Sequence, residues 1–81
     1  MTVRVKLFAV LRDLAGLSEL ALELPPGATV AQATEPLLQR LPSLHEHLHR
    51  CRFAVNLNYA HANDTLHDGD ELALIPPVSG G

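Results

Sequence analysis

The hydrophobic period of this sequence changes twice, and that change most narrows the folds open to the chain. Val3, Val5 and Leu7 alternate with Arg4, Lys6 and Phe8, and Leu20, Leu22 and Leu24 alternate with Ala21 and Glu23. A period of two marks a strand with one buried face. Pro25-Pro26-Gly27 then punctuates a turn. Beyond it Val30, Ala33, Leu37, Leu38 and Leu41 recur at spacings of three and four, the pattern of one helix face. Thr29 with Gln32 three residues later forms a capping-box pattern at the start of that helix. Phe53-Ala54-Val55-Asn56 reads as a third strand, and the period of two returns in Glu71 to Ile75, where Leu72 and Leu74 face inward.

The shorter segments complete the order. Ala9 to Gly16, with Leu11 and Leu14, reads as a short helical turn stopped by Gly16. Leu57 to Ala62 gives a short edge strand after a turn at 56–58. Pro42 ends the main helix, and Leu44 and Leu48 suggest one further turn. Pro36 fits poorly, because an interior proline removes a backbone hydrogen bond at a cost of about 3 kcal/mol. A kink or a late helix start is expected there. The order is strand, strand, helix, strand, short strand, strand. The apolar helix face and strand faces must cover each other, which gives a two-layer α+β domain. It fits a β-grasp fold, a mixed sheet of four to five strands wrapping one main helix. Residues 1–75 form that domain, and 76–81 form an extended, flexible Gly-Gly tail.

Bulk properties exclude several function classes. The 81 residues suffice for one small domain with little room for a deep catalytic cleft. Six basic residues against nine acidic ones, with the basic ones scattered, argue against nucleic acid as a partner. No apolar run approaches the ~18 residues a membrane helix needs. Met1-Thr2-Val3-Arg4 enters strand sequence with no signal-peptide pattern, so a cytoplasmic protein is expected. The single cysteine, Cys51, excludes an internal disulfide or a four-cysteine metal site from this chain alone.

No constellation of catalytic residues emerges. There is no glycine-rich phosphate loop and no nucleophile elbow. Cys51 and His49 are near in sequence, but nothing in the spacing orients them, and a partly buried thiol is the commoner case. His45 and His49 stand four apart, with His47 between, a spacing at which two imidazoles can share a metal. Further ligands are scarce, and cationic histidines also suit a helix C-terminus, so no metal site is assigned. His61 and His67 read as loop residues.

The end of the chain carries the strongest signal. A final Gly-Gly arises by chance about once in 200 chains, so it needs support from its context. Pro76 and Pro77 stiffen the approach and favour extended backbone. Val78 is the only large apolar side chain after them, and Ser79, Gly80 and Gly81 follow. Six residues span at most ~20 Å. Glycines leave no Cβ near the terminal carbonyl, so such an arm can thread a narrow channel in another protein.

The segments Leu7-Phe8-Ala9-Val10-Leu11-Arg12, Leu24-Pro25-Pro26-Gly27-Ala28-Thr29-Val30, Ala54-Val55-Asn56, Leu66-His67-Asp68-Gly69-Asp70-Glu71-Leu72 and Ile75-Pro76-Pro77-Val78-Ser79-Gly80-Gly81 run in order across nearly the whole chain. In them the sequence resembles the small, sulfur-carrier subunit of molybdopterin synthase, a ubiquitin-like β-grasp family. Pro36 and the histidine-rich stretch 44–50 depart from the family's pattern. The resemblance implies that Gly81 is the reactive residue. A ubiquitin-activating-type enzyme would adenylate its carboxylate with ATP, and a persulfide donor would replace AMP with sulfur. The C-terminal thiocarboxylate would then serve a cyclic pyranopterin precursor inside the large synthase subunit. The chain itself would bind no cofactor and no metal in that role.

Phe8, an aromatic on a polar strand face, and Ile75, out of phase with Leu72 and Leu74, are candidates for partner contact. Pro76 to Gly81 would be the partner-binding tail. Sulfur donation to thiamin thiazole or another thiolation pathway, and attachment to proteins as a ubiquitin-like modifier, are the alternatives.

Overall fold

The computed structural model describes residues 1–77. The expectations for Val78, Ser79, Gly80 and Gly81 lie outside the described residues. Strand β1 (Thr2–Leu7) leads into helix α1 (Ala9–Ala15), then β2 (Glu19–Glu23) and the main helix α2 (Val30–Arg40). A 3-10 turn (Pro42–Leu44) runs into the short α3 (His45–Leu48), followed by β3 (Arg52–Val55), β4 (Asn58–Ala60) and β5 (Glu71–Ile75). The five strands form one sheet in the order β2-β1-β5-β3-β4. β1 and β5 pair in parallel at the centre, and all other pairs are antiparallel. This is the mixed sheet expected from the sequence.

The period-two segments face as their pattern dictates. Val3, Val5 and Leu7 of β1, Leu20 and Leu22 of β2, and Leu72 and Leu74 of β5 are buried on one sheet face. Val30, Ala33 and Leu37 of α2 close over them, and Leu44 and Leu48 extend the same core. α1 ends where Gly16 takes φ +75, and its N–H reaches the Arg12 carbonyl at 2.9 Å. That left-handed position is where a glycine stops a helix at least cost. The core contains no buried polar or charged side chain among the described residues.

The main helix does not start late. It begins at Val30, with Gln32 N–H donating to Thr29 Oγ1 at 3.2 Å and Thr29 N–H to Gln32 Oε1 at 2.9 Å. Two further amides of the first turn are satisfied from outside the helix. Val30 N–H donates to the Asp64 carbonyl at 3.0 Å and Ala31 N–H to the Ala62 carbonyl at 2.8 Å. A start fixed by four such bonds leaves Pro36 inside a helix that runs on to Arg40. The Gln32 carbonyl, four residues before it, loses its helical donor. Pro36→Ala is therefore expected to stabilise the protein. Restoring the helix contributes about 3 kcal/mol, and freeing the unfolded chain removes about 0.4–1 kcal/mol. The net gain, about 2 kcal/mol, should raise the urea midpoint without changing the slope.

β3 and β4 are joined by a two-residue turn, Asn56-Leu57, with φ of 50° and 72°. Two positive φ values in a two-residue hairpin match the right-handed twist of the strands. Asparagine tolerates this region, but a leucine in it is strained by about 1–2 kcal/mol. Hairpins of this kind favour glycine at the second position.

Candidate functional site

The helices cover one face of the sheet, and alternation puts a second set of side chains on the other. Lys6 is opposite Ala73, Ala73 opposite Ala54, and Ala54 opposite Tyr59, so one cross-strand row spans β1, β5, β3 and β4. The two alanines in the middle make a low floor. Larger side chains stand around it: Phe8 and Ile75 at one side, Leu57 and Glu71 at the other. Together these residues line a groove of about 310 Å³. Phe8 is 44% exposed and Tyr59 67% exposed. Isolated apolar surface residues are ordinary; several sharing one concave patch make this groove a candidate contact surface.

Charge in the groove is balanced. Lys6 Nζ lies 2.8 Å from Glu71 Oε1, with both side chains partly exposed. At such exposure the pair contributes at most about 1 kcal/mol. Its main effect is to leave no unpaired charge at that end of the groove. The Arg52 guanidinium sits 4.7 Å from the centre of the Tyr59 ring and steadies it. At the other rim, Phe8 precedes Ala9, whose φ is +50. That sharp step from β1 into α1 sets where Phe8 stands. Strained backbone thus flanks the groove on two sides, as is common around contact sites.

Both residues singled out from the sequence pattern, Phe8 and Ile75, come together in this groove. Phe8 lies one residue beyond β1, at the cap of α1, and keeps the phase of Lys6. Ile75 is the last residue of β5, half-buried, and leads into Pro76 and the exposed Pro77. The tail residues Val78, Ser79, Gly80 and Gly81 lie outside the described residues. Sequence reasoning missed Leu57, Tyr59, Ala54 and Ala73. One available signal was the recurrence of alanine at outward positions of two strands whose inward residues are large.

The other candidates stay apart. Cys51 is half-buried, and its thiol donates to the His47 backbone carbonyl at 3.3 Å, not to an imidazole. Burial raises the thiol above its ordinary value, which lowers the thiolate fraction at neutral pH. His45 and His49 are exposed and line a second groove with Leu38, Leu48 and Phe53. Among the described residues no group of three or more His, Cys, Asp or Glu side chains comes together to hold a metal. No described helix is long and apolar enough to cross a membrane.

Comparison with known proteins gives this geometry a family. The sequence pattern of the ThiS family matches residues 5–81, through the final glycine. The molybdopterin synthase sulfur carrier subunit of Chlamydomonas reinhardtii is 39% identical over all of both chains. The crystal structure of SAMP1 from Haloferax volcanii, a small archaeal modifier protein, superposes with a TM-score of 0.93 at 31% identity, again over all of both chains. A chain of the complex of subunits 1 and 2 of the molybdopterin-converting factor from Helicobacter pylori superposes with a TM-score of 0.70 at 29% identity, over all of both chains. By the family match over nearly its whole length and the relative that aligns with all of it, the chain belongs to the ThiS family.

Proposed function

We propose that this chain is the sulfur carrier of molybdenum cofactor biosynthesis and acts as the small subunit of molybdopterin synthase. One observation carries the reading: a molybdopterin synthase sulfur carrier subunit aligns with the whole chain at 39% identity. The family match running through Gly81 supports the terminal glycine as the reactive residue.

The chemistry follows from the carboxylate. It is a poor acyl donor, because its leaving group is oxide. An activating enzyme would transfer AMP from ATP to the Gly81 carboxylate, with release of pyrophosphate. A persulfide sulfur then attacks the carbonyl carbon, the C–O bond to AMP breaks, and AMP leaves. A thiol reductant cleaves the remaining S–S bond and frees the thiocarboxylate. Its sulfur is a soft nucleophile at neutral pH and would pass to the pterin precursor within the large subunit. This reading belongs to the cytoplasm, where ATP and thiols are supplied.

The groove supports docking in this scheme. Ile75 is both a wall of the groove and the root of the tail. A partner that receives Gly81 must lie within the tail's reach of ~20 Å, which brings it near the groove. The test is the intact mass of the chain after incubation with ATP, a cognate activating enzyme and a sulfur source. Replacement of one oxygen by one sulfur, mapped to Gly81, is expected; no mass change in a system that loads its own carrier would end this reading.

The similarity to a protein named a small archaeal modifier favours a second reading, attachment to protein lysines. The same incubation in the presence of cell protein separates the two. A free thiocarboxylate marks the carrier, and an isopeptide bond from Gly81 marks the modifier.

A further inference from the structure

Leu57 is 91% exposed, the most open of the large apolar side chains described as exposed. It is also held at φ +72, a backbone angle that suits glycine. Burial in the monomer accounts for neither feature. The turn that carries it is nevertheless fixed from below. Asn56 N–H donates to the Glu71 carbonyl at 2.9 Å, and Glu71 N–H donates to Asn56 Oδ1 at 3.0 Å. Asn56 Nδ2 donates to Asp70 Oδ1 at 2.9 Å, and Asn58 Nδ2 to the Asn56 carbonyl at 3.2 Å. Three of these bonds tie the hairpin tip to the start of β5. An apolar side chain is thus presented to solvent on a turn braced against the central strand.

We propose that Leu57 is a specificity-determining anchor that docks this chain on the large subunit of molybdopterin synthase. The inference rests on the carrier reading. Leu57 and Ile75 line the same groove, and the tail departs from Ile75. A subunit that takes the tail and also covers the groove meets Leu57 at its far side. A leucine side chain offers only apolar surface, and the charged pair that lines the same groove, Lys6 and Glu71, is already matched. The complementary feature on the large subunit is an uncharged, apolar pocket. A braced turn loses little freedom when it is buried, so its side chain contributes more to binding than a mobile one would. The likeness to a chain from a complex of subunits 1 and 2 favours the large subunit over the adenylating enzyme as occupant.

The experiment titrates the full chain, Leu57→Gly and Leu57→Met against the purified large subunit, with thermal melts of each. Leu57→Gly removes the anchor and relieves the backbone. It should bind about tenfold more weakly, while its melting temperature rises by about 4 °C. Leu57→Met keeps an apolar side chain and should bind within about twofold of wild type. A loss of affinity without a loss of stability is what a merely structural turn residue would not produce. Equal affinity of wild type and Leu57→Gly overturns the proposal, as does a loss confined to the adenylating enzyme. If the wild-type chain fails to bind the large subunit, the carrier reading falls first and the anchor falls with it.

Discussion

Deletion of Gly81 is expected to abolish sulfur loading while leaving the melting temperature unchanged. The deletion touches no part of the core, whose last member is Leu74 in β5. It still leaves a glycine carboxylate, now on Gly80, so the chemistry of the end group is preserved. What changes is reach. The tail shortens by about 3.5 Å, the span of one extended residue. Acyl transfer requires reacting atoms within about 3–3.5 Å, and a misplacement of about 1 Å can cost 10²-fold. A deficit of a full residue therefore removes the reaction from measurable range. The check is intact mass after incubation with ATP, an activating enzyme and a sulfur source, beside a thermal melt. Sulfur uptake at Gly80 at the wild-type rate would show that the position of the end is not what the activating enzyme reads.

Leu74→Ala should have the largest effect on the fold. Leu74 is fully buried on the central strand, opposite Leu7 of β1 and Phe53 of β3. Truncating a buried leucine costs about 2–5 kcal/mol, because the cavity closes only in part. A domain of this length has a total stability of roughly 4–12 kcal/mol. The substitution should lower the melting temperature by more than about 10 °C and move the urea midpoint down with little change in slope. A fall of under about 1 kcal/mol would mean that neighbouring side chains collapse into the space. The adjacent Ala73 faces the opposite way, onto the groove floor. The core and the groove can therefore be altered separately at consecutive positions of one strand.

β1, β2 and β5 were legible because each keeps one buried face, and alternation records that face directly. The start of α2 was legible because its cap is written in Thr29 and Gln32. The effect of Pro36 was not, because the amides of the first turn are satisfied by Ala62 and Asp64, far along the chain. Sheet order was not legible from alternation alone, since a period of two says which face is buried and not which strands are neighbours. The same limit governs the groove. Phe8 and Ile75 could be found because each breaks the polarity or phase of its own strand. Tyr59 joins them only through the register of β3 with β4. Leu57 stood out only once its positive φ was known, and nothing in the residue type announces that angle. Gly80-Gly81 stood out by its rarity and by the prolines before it, while its role as the reactive end came from the family resemblance and is what the mass measurement tests.

The central position of β5 has a consequence for synthesis. β5 lies between β1 and β3, so without it the sheet is two separate strand pairs, β2-β1 and β3-β4. It also supplies half of the groove floor and the root of the tail. A nascent chain that has not yet inserted β5 therefore lacks the groove as well as the core of the sheet. Completion of the sheet and completion of the groove are therefore one event.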